Sequence, residues 1–85
     1  MVDDQQYSNG IEAYKQADYE KAHELLLPLA EEGVIGAQFY LGLLYEDGLG
    51  VSKDLGKAYQ WFLMAADQND SDAQFRIALL HDHEK

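Results

Sequence analysis

Two stretches of this chain repeat one another: DYEKAHELLLPLAEEGVIGAQFYLGLL, Asp18 to Leu44, and DLGKAYQWFLMAADQNDSDAQFRIALL, Asp54 to Leu80. They lie thirty-six residues apart and align without a gap. Extended to Asp18–Leu49 against Asp54–Lys85, ten of 32 pairs are identical: Asp18/Asp54, Lys21/Lys57, Ala22/Ala58, Leu27/Leu63, Ala30/Ala66, Ala37/Ala73, Gln38/Gln74, Phe39/Phe75, Leu43/Leu79 and Leu44/Leu80. Ordinary residue usage gives roughly two. A period of this size marks supersecondary units that cannot bury an apolar face alone and do so by stacking.

The 3.6-residue period predicts five helices. The first spans about Asp4 to Gln16, with Tyr7, Gly10, Ile11 and Tyr14 on one face. The second runs about Tyr19 to Glu32, capped by Asp18 and stopped by Gly33, with a bend expected at Pro28 because proline removes a helical hydrogen bond. The third, about Ile35 to Asp47, is apolar on two sides, as expected of a helix in the middle of a stack. A turn at Gly48–Ser52 leads to Asp54, which caps a fourth helix of about Leu55 to Gln68. Asn69 stands where Gly33 stood, and Ser71 with Gln74 reads as a capping box for a fifth helix, about Asp72 to Asp82. The fold class is therefore all-α. It is one domain over residues 1–85, in units of about 4–33, 35–69 and 71–85, or two and a half repeats.

Ala37 to Gln68, AQFYLGLLYEDGLGVSKDLGKAYQWFLMAADQ, resembles a Sel1-like repeat. The matching positions are Ala37, Gln38, Leu41, Gly42, Tyr45, Gly48, Gly50, Val51, Asp54, Ala58, Trp61, Phe62, Ala65 and Ala66. The first unit, GIEAYKQADYEKAHELL, is similar to the related tetratricopeptide repeat through Gly10, Tyr14, Asp18-Tyr19 and Ala22. In the last unit Ile77 and Ala78 replace the Leu-Gly pair and His81 replaces the tyrosine. The resemblance implies a right-handed superhelical stack of antiparallel helix pairs that acts as a protein-binding scaffold, an adaptor in settings such as signalling, secretion or protein quality control.

Composition restricts the partner. Sixteen acids against six bases give a net charge of −10, which repels phosphate backbones and anionic lipid and steers basic surfaces inward. Nucleic-acid and membrane roles are set aside on that ground. With no cysteine there is no disulfide or thiolate chemistry. An acidic, polar start and the lack of a long apolar run lead us to expect a cytoplasmic protein.

Motifs that suggest chemistry have simpler readings. YEDGLGVSKD, Tyr45 to Asp54, lacks both the third glycine of a dinucleotide fingerprint and the Gly-Lys-Ser/Thr ending of a phosphate loop, so Gly48 and Gly50 are read as turn residues. His81-Asp82-His83-Glu84 collects metal-ligand types, but histidines two apart on a helix point about 200° from one another. Asp67 to Asp72 starts like a calcium loop, yet Asp72 replaces the needed glycine and Ala78 the bidentate glutamate. No catalytic residue, cofactor or metal site is assigned, and the chain is read as no enzyme.

In stacks of the resembled family the first helix of each pair lines the concave face. Carried over, the partner-binding positions are Tyr7, Ile11, Tyr14 and Lys15; then Phe39, Leu43, Glu46 and Asp47; then Phe75, Leu79, Asp82 and His83. Aromatic and aliphatic residues edged by acids suit a protein or peptide with apolar anchors and Lys or Arg. The basic and asparagine residues of a carboxylate clamp are missing, with Tyr7 and Ile11 in their place. The competing reading packs Tyr7, Ile11 and Tyr14 against Leu25, Leu26 and Leu29. Two functions remain open: an adaptor holding a partner in this groove, or a dedicated inhibitor of the immunity or antitoxin kind masking one basic surface. The fifth helix adds an expectation of its own. Ile77 and Leu80 are expected to form an exposed apolar patch, covered by the partner or by a second copy in a homodimer.

Overall fold

The computed structural model describes residues 4–83, with side chains as far as His81. Among them lie five helices: α1 (Asp4–Lys15), α2 (Tyr19–Glu31), α3 (Ile35–Asp47), α4 (Leu55–Ala66) and α5 (Ser71–His83). Each packs on the next in the chain, and the described residues contain no strand. The connections are short, so consecutive helices run antiparallel and the repeats stack as a helical solenoid.

One device ends four of the helices. Ala17, Gly33, Gly48 and Asn69 all adopt left-handed backbone, at φ 64°, 101°, 67° and 71°. In each case the next amide closes back on the last turn: Asp18 to the Ala13 carbonyl at 2.8 Å, Val34 to Leu29 at 3.0 Å, Leu49 to Leu44 at 2.8 Å and Asp70 to Ala65 at 3.2 Å. These bonds satisfy carbonyls that a helix end otherwise leaves unpaired. The stops at Gly33 and Asn69 are as expected, while Ala17 carries no sequence signal for this conformation.

The starts differ more from expectation. Asp54, in extended backbone at φ −152°, accepts the Lys57 amide at 3.0 Å, a side-chain cap. Asp18 makes no such bond. Its amide is already closing the end of α1, and at φ −89°, ψ 72° it lacks the extended backbone that capping uses. The capping box at Ser71 does not form either. Ser71 is already helical, the Asp70 carbonyl accepts the Gln74 amide at 3.1 Å, and the Gln74 side chain reaches the Ala66 carbonyl instead. Helix α2 is continuous across Pro28.

The interior falls into two clusters that meet at α3. Ala13, Ala22, Leu26, Leu29, Ala30, Ala37, Leu41 and Leu44 form the first; Leu43, Ala58, Phe62, Ala65, Ala73 and Leu80 form the second. Helix α3 contributes Leu41 and Leu44 to one and Leu43 to the other, which is why its apolar residues cover two sides. Small residues set the spacing between helices. Ala22 and Ala58 are fully buried, and a Cβ on Gly10 would stand 2.6 Å from Leu26 Cδ2.

Candidate partner-binding groove

Aromatic side chains from α1, α2 and α3 form a continuous ladder. The Tyr14 ring meets Tyr19 edge-on at 5.5 Å between centroids and Tyr40 at 5.0 Å. Tyr40 in turn meets Phe39 at 5.8 Å, and Phe39 leans on Phe62 of α4 at 5.7 Å. Edge-to-face pairs of this kind add to the burial of the rings themselves. At the start of α1, the Tyr7 hydroxyl lies against Gly36, where any side chain would displace it.

Charge borders the ladder. Burial, with Tyr40 and Asp70 nearby, pushes the Tyr7 phenol above its usual range. Burial likewise raises Tyr14, helped by Tyr19, Asp47 and Tyr40 and opposed by Arg76. Both phenols are therefore neutral at ordinary pH and able to donate hydrogen bonds. Arg76 of α5 reaches Glu46 of α3 at 3.4 Å, tying the two helices across the face. Lys15 and Asp47 are exposed at the ends of α1 and α3.

The sequence-predicted positions divide. Tyr7, Ile11 and Tyr14 are half-buried and pack against the first cluster, retaining part of their surface for contact. Glu46 and Leu79 are also half-buried. Leu43 is buried in the second cluster and belongs to the core, because α3 turns that side toward α4. Phe39 is pinned between Tyr40 and Phe62, whereas its counterpart Phe75 is 63% exposed. The side chains of Asp82 and His83 lie outside the described residues.

The expected apolar patch on α5 is corrected. Leu80 is only 5% exposed, and Ile77 packs partly against the same cluster. Ala73 and Leu80, seven residues apart, turn toward α4 just as Ala37 and Leu44 turn toward α2. Large apolar side chains are instead exposed on α4, at Leu55, Tyr59, Leu63 and Met64, and at Phe75.

Sequence reasoning missed Tyr40, Arg76 and Gln38. The thirty-six-residue shift pairs Tyr40 with Arg76, which share neither shape nor charge, so self-comparison gives neither any weight. Gln38 did carry a signal, through its match to Gln74. It is 1% exposed, donates to the Ala30 carbonyl at 3.0 Å and accepts from Gln68 at 2.9 Å. Gln74 repeats the first of these bonds, to Ala66 at 3.4 Å. The glycine stretch after α3 has a structural role: Gly48 and Gly50 take left-handed backbone, and Gly50 packs on the first residues of α2.

Among the described residues, no helix is long and apolar enough to cross a membrane, and no group of three metal-ligating side chains is assembled.

Comparison with known proteins agrees with this architecture. The Sel1 repeat model matches residues 7–34 and 35–70. DAP3-binding cell death enhancer 1 of Rattus norvegicus is 39% identical over 63 residues, covering 74% of this chain and 12% of its own length. Chitin synthase regulator SKT5 of Saccharomyces cerevisiae is 34% identical over 67 residues, 79% of this chain and 10% of its own. The ERAD-associated E3 ubiquitin-protein ligase component HRD3A of Arabidopsis thaliana is 29% identical over 65 residues, 76% of this chain and 10% of its own. This chain thus aligns with about a tenth of the length of each. No solved structure matches significantly. With two matched units covering most of its length and helices in the same places, the chain belongs to the Sel1 repeat family.

Proposed function

We propose that the chain is a protein-interaction module of the adaptor kind, holding a partner protein or peptide on the face built by α1, α3 and α5. The observation that carries this reading is the tyrosine ladder, in which the neutral phenol of Tyr7 lies near Asp70 and that of Tyr14 near Asp47. Rings that retain some surface beside fixed acids complement an apolar anchor flanked by Lys or Arg. The names of the relatives support it: one binds DAP3, one regulates chitin synthase, and one is a component of a ubiquitin ligase. Each name refers to another protein or to an assembly.

The net charge of −10 favours a second reading, a dedicated inhibitor that covers a basic surface. The two differ in affinity and salt response. An inhibitor holds one partner tightly with steep salt dependence, and an adaptor holds several more weakly.

Co-purification from the native cell, using the wild-type chain beside Glu46→Lys with Asp47→Lys, tests the face. The double variant is expected to keep its helical spectrum and lose the basic partner. Recovery of the same partner in the same amount would place the binding surface elsewhere.

A further inference from the structure

Three phenols converge on the face between α1 and α3. The Tyr7 hydroxyl reaches across to Gly36 at the start of α3. The Tyr14 ring stands edge-on to Tyr40 at 5.0 Å, and the Tyr40 phenol is near those of both Tyr7 and Tyr14. None of the three hydroxyls has a hydrogen-bond partner among the described residues, and none is sealed off from the surface. Tyr45 offers the contrast, since its hydroxyl is engaged by His23 at 3.0 Å. A row of open O–H donors on half-buried rings is a place for acceptors.

The flanks of this row are charged. Tyr7 lies near Asp70, and Tyr14 lies near Asp47. Arg76, also near Tyr14, is held by Glu46 at 3.4 Å, which leaves Asp47 as the open carboxylate at that end. Carboxylates thus stand near both ends of α3, and Ile11, Tyr40 and Leu43 lie between them.

We propose that the occupant of this face is a proline-rich segment of a partner protein, in polyproline II conformation, with a Lys or Arg at each end. The inference rests on the adaptor reading above and names what that face selects. Spacing separates this segment from an extended strand. Tyr7 and Tyr14 leave α1 two turns apart, about 10.5 Å. Polyproline II shows the same edge every third residue, about 9.3 Å. A strand does so every second residue, at about 6.6 Å and again at about 13 Å, so its carbonyls match one phenol and miss the other.

Hydrogen bonding agrees with the spacing. Each proline brings a carbonyl and no N–H, so the segment needs donors and buries none of its own. The phenols supply them. Aromatic-lined grooves take such segments because the polyproline helix is already formed and loses little entropy on docking. Charge sets the length. From Gly36 to Asp47, α3 is about 16.5 Å long, the span of about five polyproline residues. A basic residue at either end of such a run then meets Asp70 and Asp47.

Two peptides titrated into the isotope-labelled chain test the segment: Lys-Pro-Pro-Pro-Pro-Pro-Lys and the strand-forming Lys-Thr-Val-Thr-Val-Thr-Lys. Amide shifts are expected over Tyr7–Tyr14 and Gly36–Asp47, with the proline peptide binding about tenfold more tightly. Tyr7→Phe and Tyr14→Phe keep each ring and remove one donor. Each is expected to weaken the proline peptide about fivefold while the melting temperature stays the same. A proline peptide flanked by Glu instead of Lys is expected not to bind. Absence of shifts with the proline peptide at about 1 mM overturns the proposal. So do equal affinities for the two peptides, shifts centred on Leu55 and Tyr59, or phenylalanine variants that bind as the wild type does. The adaptor reading is judged apart from these. A native partner that is lost with Glu46→Lys and Asp47→Lys, yet is not displaced by the proline peptide, overturns the proline segment and leaves the face in place.

Discussion

The ring of Phe62 rests directly on the backbone of Gly42, so that a Cβ at position 42 would fall 2.7 Å from the ring's Cζ. The same relationship joins Leu26 to Gly10 one repeat earlier, and both large side chains are fully buried. A glycine on the first helix of each pair, with a large apolar residue on the second, thus sets how closely the two helices approach. Gly42→Ala is expected to destabilise the fold by about 1–2 kcal/mol: overpacking costs roughly 1–3 and the better helix propensity of alanine returns up to ~1. Adding Phe62→Leu should recover part of that loss. Thermal unfolding of the single and double variants checks both, and additive losses would show that the two residues do not share one contact.

Ala17 holds left-handed backbone at φ 64° without the freedom of glycine. That conformation costs an alanine roughly 1–2 kcal/mol, while glycine gives up about 0.5–1 through its looser unfolded state. Ala17→Gly is therefore expected to raise stability by about 0.5–1 kcal/mol and to leave the binding face unchanged. Chemical denaturation measures it, and a lower midpoint would contradict the Schellman-type end of α1.

His23 gives the fold a pH dependence. Its Nε2 lies 3.0 Å from the Tyr45 hydroxyl, and the Lys57 ammonium stands over the Tyr45 ring at 5.3 Å. Burial, then the Lys57 charge, hold the imidazole below its ordinary 6.5. The unfolded chain thus takes up the proton at higher pH than the folded one. Stability from this residue is full above 6.5 and is lost as the pH falls from there toward the lower folded value. The acidic surface works in the opposite direction, since acidification relieves its self-repulsion. The comparison of interest is therefore between variants: melting of His23→Phe should fall less than that of wild type between pH 7 and 5. Parallel curves would show that His23 is not the group responsible.

Helix positions were legible because the repeat supplies two readings of each element, and α3 has the very bounds its periodicity predicts. Orientation within the stack was harder. Leu80 and Leu43 look like surface residues in a single helix, yet each turns toward α4, and only the packed helix pair fixes that rotation. Asp18 shows a different limit. A residue that must close one helix cannot also adopt the backbone that caps the next, and the two signals overlap in the same three-residue connection. In the groove, Tyr7 and Tyr14 could be named from the family pattern. Tyr40 and Arg76 could not, because they contact residues of other helices at positions where the repeats differ.

Gln38 is the buried polar link of the stack, and it makes a prediction that its repeat partner does not. Its amide nitrogen binds the Ala30 carbonyl at the end of α2, and its oxygen accepts from Gln68, just past the end of α4. Removing one member of such a pair leaves the other buried without a partner, which costs about 1–3 kcal/mol, while removing both with apolar replacements costs less than the sum. Gln68→Ala orphans the Gln38 oxygen and is expected to lose about 1 kcal/mol. Gln38→Met keeps the shape and leaves Gln68 free to turn to solvent, since the Ala30 carbonyl still accepts the Gly33 amide at 3.0 Å. The double variant should then be no less stable than the sum of the singles less about 0.5 kcal/mol of coupling. Gln74 makes the equivalent bond at 3.4 Å from an exposed position, so Gln74→Ala is expected to change stability by less than about 0.5 kcal/mol. Denaturant unfolding of the four variants decides it: a Gln74→Ala loss as large as that of Gln68→Ala would mean that burial is not what makes the Gln38 link matter.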